Sequence, residues 1–169
     1  MTDWREVVRT HGPLVWQTAY RLLAHEADTA DCFQQTFLAA VELAAGEPVR
    51  NWPALLRQLA TARALEQIRR RVRARGRTEP LPAEPADCRA GEPLDSAAGG
   101  ELADALRHAL ANIDPRQAEV FCLVALGGQS YSEAAEQLGM TANHVGVLLA
   151  RARVALRDRL VVFDPSKRT

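Results

Sequence analysis

Six arginines crowd positions 69–77: Arg69, Arg70, Arg71, Arg73, Arg75 and Arg77. A guanidinium grips phosphate through paired N–H bonds and stays charged at any physiological pH. At helical spacing the run surrounds a helix end with cations. The chemistry this suits is contact with a nucleic-acid backbone, which carries a steep salt dependence. The competing reading is a solvated helix terminus, where cations also meet the negative end of the macrodipole. The number of cations exceeds what capping needs. A second cluster, Arg151, Arg153, Arg157 and Arg159, lies near the C-terminus. Arg153 and Arg157 share a face at i, i+4 with Asp158 nearby, which fits a solvated surface as well as it fits phosphate.

Covalent chemistry has no comparable signature. The chain carries no Gly-rich phosphate loop, no H-E-x-x-H and no G-x-S-x-G. Glu26, Asp28 and Asp31 are close in sequence, but nothing builds an apolar cleft around them to shift a pKa. Cys32, Cys88 and Cys122 form no C-x-x-C pair, and His11, His25, His108 and His144 form no ligand spacing with them. The expectation is therefore no catalytic group, no metal and no cofactor. Cys32 and Cys122, among apolar neighbours, read as small core residues.

The elements that position these residues are helices. Of 169 residues, 47% are hydrophobic but only 5% aromatic, so the cores must be built from Leu, Val and Ala. No stretch alternates apolar and polar residues over strand length, which predicts an all-α fold. Apolar runs are too short to span a bilayer and the N-terminus lacks a signal-peptide pattern, so a cytoplasmic protein is expected. The net charge of zero hides a pattern. Residues 1–77 carry 12 arginines against eight acids, residues 78–100 one arginine against five acids, and residues 101–169 a balanced set.

Residues 78–100 also hold four prolines and three glycines with few large apolar groups. Such a segment cannot bury enough surface to offset chain entropy. It reads as a flexible acidic linker between two small helical domains, 1–77 and 101–169. In the first, the spacing predicts a helix broken or kinked at His11-Gly12-Pro13. A second helix is expected from about Ala27 to Ala44. A third, capped by Asn51 with Pro53 in its first turn, ends in the arginine run. In the second domain, Leu102 to Ile113 is amphipathic, Asp114-Pro115 starts another helix, and Gly127-Gly128 ends it. Then comes the most informative stretch. Ser130 and Glu133 form a capping box, and Ala134, Ala135 and Leu138 give an apolar stripe. Gly139 suits a left-handed helix end, and Thr141 caps a final helix from Ala142 to about Leu160. These are the parts of a helix-turn-helix, although plain helical hairpins share them.

Three segments together resemble the extracytoplasmic-function sigma factors, small members of the RNA polymerase sigma factor superfamily. Residues 28–38, DTADCFQQTFL, are similar to the family's D-x-x-D-x-x-Q-E-T-F-L helix. Asp114 to Phe121 resembles the L-P-x-x-x-R-x-V-F start of the promoter-reading domain. Tyr131 to Met140 resembles Y-x-E-I-A-E-x-L-G-I, and Arg151 to Leu156 resembles R-A-R-x-x-L. The resemblance implies a transcription initiation factor whose partners are core RNA polymerase and promoter DNA, with an anti-sigma protein as a further partner. Asp31, Gln34 and Gln35 would contact polymerase. Arg57, Arg63, Arg69, Arg70 and Arg73 would hold the melted minus-ten element. Asn143 and His144 would approach base edges of the minus-thirty-five element, with Arg151 and Arg153 on its backbone.

Two departures bear on that expectation. The family's T-V-K-S-R-L corresponds to His144-Val145-Gly146-Val147-Leu148-Leu149, so Gly146 and Leu148 replace basic residues. Losing two charge-assisted contacts costs roughly 1.5–3 kcal/mol each. Val147 and Leu148 are both expected to be exposed, which suits a protein contact. An R-N pair is replaced by Thr61-Ala62, and Gln35 replaces Glu. Two alternatives remain open at this stage. One is a sigma-like interaction module that does not read promoters. The other is a helix-turn-helix repressor, which predicts a dimer and a palindromic site.

Overall fold

The computed structural model describes residues 2–76 and 97–161. Seven α-helices follow one another among the described residues: α1 Trp4–Leu23, α2 Glu26–Ala44, α3 Trp52–Arg75, α4 Ala97–Ala111, α5 Pro115–Phe121, α6 Tyr131–Leu138 and α7 Ala142–Leu160. A π-helical turn, Cys122–Leu126, extends α5, and no strand occurs among the described residues. The expected all-α fold is present. Most of the segment read as a linker, together with Arg77 and Cys88, lies outside the described residues. Helix α4 begins at Ala97, so Ala97–Gly100 belong to it rather than to the linker.

Local chemistry sets the helix starts. Asp3 Oδ1 accepts from the amides of Arg5 and Glu6 at 3.1 and 3.2 Å, and Asn51 Oδ1 accepts from Ala54 at 3.1 Å. The expected break at Pro13 does not occur, and α1 runs unbroken through it. A mid-helix proline forfeits one backbone hydrogen bond. Here Val7 and Val15 are buried on either side of it in one core, with Phe37, Ala40, Leu56 and Ala60. Gly12 is buried beside the Phe33 ring, where a β-carbon would make ordinary contact at 3.6 Å. Trp4 and Trp52 close the end of this core edge to face, with centroids 5.3 Å apart.

The π turn was not legible in the sequence. The Gly127 amide donates to the Cys122 carbonyl at 2.8 Å, five residues back, which is the π-helical pairing. Only glycine fits at 127, because a β-carbon would fall 2.5 Å from the Leu123 carbonyl oxygen. The wider turn directs Leu123 into the helix-turn-helix core with Val120, Ala134, Leu138, Val145 and Leu149.

The two halves do not stand apart, as the expectation of separate tethered bodies implied. Ala19, Leu22, Leu23, Cys32, Ala64, Leu65 and Ile68 form one continuous core with Ala109, Leu110, Ile113, Ala118, Cys122, Ala152 and Leu156. The reason is an apolar face that runs further along α3 than its own three-helix unit covers. Helices α4 and α5 cover the remainder. Burying apolar surface contributes about 25 cal/mol per Å², and two units that are already linked lose less freedom on docking than separate chains would.

Candidate nucleic-acid interface

The helix-turn-helix forms as its sequence dictates. The Ser130 hydroxyl accepts from the Glu133 amide at 3.1 Å, and the Glu133 carboxylate accepts from the Ser130 amide at 2.7 Å. These contacts hold the Glu133 carboxyl below its ordinary range, and the Arg57 guanidinium adds to the effect. Gly139 ends α6 at φ 63°, a left-handed turn that glycine adopts without cost. The Thr141 hydroxyl then accepts from the His144 amide at 3.2 Å and starts α7.

Helix α7 buries Val145, Leu148, Leu149, Ala152 and Leu156. Leu148 is therefore a core residue, against the expectation that it would be exposed. Its position in the 3.6-residue repeat places it one turn after Val145 on the buried stripe. Gly146 is half-buried, and a β-carbon there would make ordinary contact with the Tyr131 ring at 3.4 Å. Neither position presents a side chain to a partner. The exposed face carries Asn143, His144, Val147, Arg151, Arg153 and Val154. Asn143, Val147 and Arg151 follow one another at i, i+4 spacing, while Arg153 points further round.

The arginine-rich end of α3 is divided in use. Arg70, Arg73 and Arg75 are exposed. Arg71 instead forms an ion pair with Asp28 of α2, which His25 also approaches at 3.3 Å. Partial burial lowers the Arg71 pKa, with further lowering by the neighbouring charges of Arg75 and Arg107. Arg69 is half-buried, and its Nη2 atom makes no hydrogen bond among the described residues. Its charge acts on Glu119 of α5. Burial raises the Glu119 pKa, while Arg116, Gln58 and Arg69 pull it back. Burial also pushes the Cys122 thiol up to about 12 and that of Cys32 to about 11. Both cysteines are core residues, as expected.

Of the other expected minus-ten contacts, Arg63 pairs with Glu66 at 3.3 Å on the surface of α3. Arg57 is half-buried and lines a cleft of about 540 Å³ between α3 and α6, with Gln58, Gln129 and Glu133. Thr61, in place of a family arginine, is buried, whereas Ala62 is exposed. On α2, Asp31 and Gln34 are exposed and Gln35 is half-buried, and the same outer surface continues into Leu38 and Val41. The structure thus brings Arg69 and Arg57 to the seam between the halves, and leaves Asp31, Gln34, Arg70, Arg73, Asn143 and His144 open to a partner.

Residues 7–74 match the family model of sigma-70 region 2, and residues 103–156 that of sigma-70 region 4. The extracytoplasmic-function RNA polymerase sigma factor SigE of Mycolicibacterium smegmatis is 31% identical over 166 residues, covering 95% of this chain. The chain spans 62% of that relative's length. Among solved structures, CnrH in complex with the cytosolic domain of CnrY aligns with a TM-score of 0.56 and 26% identity, covering 94% of this chain and 87% of CnrH. The fold is also that of the sigma factor RpoE in its complex with the anti-sigma factor NepR from Bartonella quintana. There the TM-score is 0.54 at 22% identity, over 96% of this chain and 99% of that one. With sigma-70 regions 2 and 4 both matched, in that order, on an all-helical frame, the chain belongs to the sigma-70 family and is similar to its extracytoplasmic-function members.

Proposed function

We propose that this chain directs core RNA polymerase to promoters in the cytoplasm and initiates transcription with it, doing no covalent chemistry itself. The observation that carries the reading is the pairing of two surfaces in one chain. One is the exposed polar stripe of Asp31 and Gln34 on α2, suited to polymerase. The other is the outward face of α7, beginning at Asn143 and His144, suited to a major groove. Arg70 and Arg73 add cations for the phosphates of the opened strand. An anti-sigma protein is proposed as a further partner, by likeness to RpoE.

A second reading has one observation in its favour. Arg57 and Arg69 face the seam, and Gly146 and Leu148 offer no basic group. A sigma-like module that binds polymerase without reading promoters would need none of these contacts. Gel filtration of purified core polymerase with the chain tests the shared part of both readings. Co-elution that is lost in Asp31→Ala/Gln34→Ala supports docking through α2. Failure of the unaltered chain to bind core would exclude both readings.

A further inference from the structure

The outward face of helix α7 carries an amide, an apolar side chain and a guanidinium in successive turns. Asn143 offers an amide, and one turn later Val147 is 40% exposed on the same face. Arg151 follows after another turn. A single exposed valine on a protein surface needs no explanation. This one stands between an amide and a guanidinium on the outward face of the second helix of a helix-turn-helix. The positions beside it offer no side chain to a partner, because residue 146 is a glycine, half-buried beside the Tyr131 ring, and Leu148 is in the core. Discrimination along this turn therefore falls to Asn143, His144 and Val147.

The major groove supplies matching chemistry. Adenine offers N7 and N6 to a bidentate amide, and thymine offers a C5 methyl to an apolar side chain. Four residues of helix rise about 6 Å, and base pairs stack about 3.4 Å apart, so the two side chains reach pairs roughly two steps apart. We infer that Val147 is a specificity-determining residue that packs on a thymine methyl in the upstream promoter element, with Asn143 on an adenine roughly two base pairs away. The inference rests on the promoter-binding reading and adds which bases are recognised and by what contact.

Deoxyuridine removes only the thymine methyl and so tests the contact without altering the protein. The probe is a promoter duplex selected from a genomic library by core polymerase plus this chain. Each thymine of its upstream element is replaced in turn, and binding of the same holoenzyme is measured. One replacement is expected to weaken binding about fourfold, the worth of one buried methyl group. Val147→Ala should abolish that penalty while leaving the salt slope unchanged. Equal binding of all deoxyuridine duplexes, or a penalty that persists in Val147→Ala, would overturn the inference while promoter binding stands. Loss of core binding in Val147→Ala would assign the residue to a protein contact and also overturn it. Selection of no promoter at all would remove the underlying reading, and the inference with it.

Discussion

The Arg21 guanidinium donates a 2.6 Å hydrogen bond to the Leu126 carbonyl, tying α1 to the π turn that follows α5. Across the same seam, Arg107 Nε donates at 2.7 Å to the Leu22 carbonyl. Both acceptors belong to the last turn of a helical segment, where carbonyls lack an intrahelical partner and cations are favoured. These bonds fix the orientation of the halves, and the shared core supplies most of the adhesion. Arg107 is half-buried and also held by Asp104 at 2.9 Å, so it contributes more than exposed Arg21. Arg21→Ala/Arg107→Ala should cost about 1.5–3 kcal/mol, mostly through Arg107. It should also enlarge the radius of gyration measured by small-angle X-ray scattering. Unchanged stability and scattering would mean that these bonds do not hold the seam.

Glu119 makes that seam sensitive to pH. Its pKa is raised by burial, so the folded state binds a proton more tightly than the unfolded chain does. The stability gained from the protonated carboxyl is complete below the ordinary carboxylate value of 4.5 and is lost as pH rises through the higher folded value. Glu119→Gln removes this dependence. Urea unfolding across that window should show the unaltered chain losing stability relative to Glu119→Gln as pH rises. Parallel stability curves would contradict the assignment.

The arginines of α3 should separate into two groups. Each of Arg70, Arg73 and Arg75 that contacts a phosphate should, on change to Ala, reduce the log–log salt slope of DNA binding by about 0.7–0.9 without loss of stability. Arg71→Ala should instead destabilise the fold by about 1–3 kcal/mol, because it leaves the mostly buried Asp28 carboxylate without its guanidinium. Salt titrations of holoenzyme on promoter DNA, paired with thermal melts, distinguish these effects. A uniform response from all four would refute the division.

Two small changes probe the supports of the helix-turn-helix. Ser130→Ala removes one arm of the capping box and should cost about 1 kcal/mol. Gly127→Ala forces a methyl against the Leu123 carbonyl and should cost about 1–3 kcal/mol, with part of the π turn rewound. Thermal melts read both effects. A Gly127→Ala variant as stable as the parent would show that the π turn is not required.

Much of this was legible because its causes are local. Ser130, Glu133, Gly139 and Thr141 specify a capped pair of helices within a dozen residues, and the structure places each in the expected role. Seam contacts were not legible, since Arg21 meets Leu126 and Arg107 meets Leu22 at separations of 105 and 85 residues. No periodicity encodes such a pairing. Pro13 carries a local penalty that argues for a break in α1, and burial of Val7 and Val15 overrides it. Leu148 is buried because it follows the apolar repeat through Val145, Leu149 and Ala152, a register that the family's basic positions do not reveal. Arg69 belongs to the charged run by sequence, yet its partial burial sets it apart and its charge acts on Glu119.

Transcription from a genomic library by purified core polymerase, with and without this chain, tests the central claim most directly. The account predicts discrete start sites that appear only when the chain is present, and that weaken when Asn143 is changed to Ala. Binding of the chain to core without any new start site would contradict it.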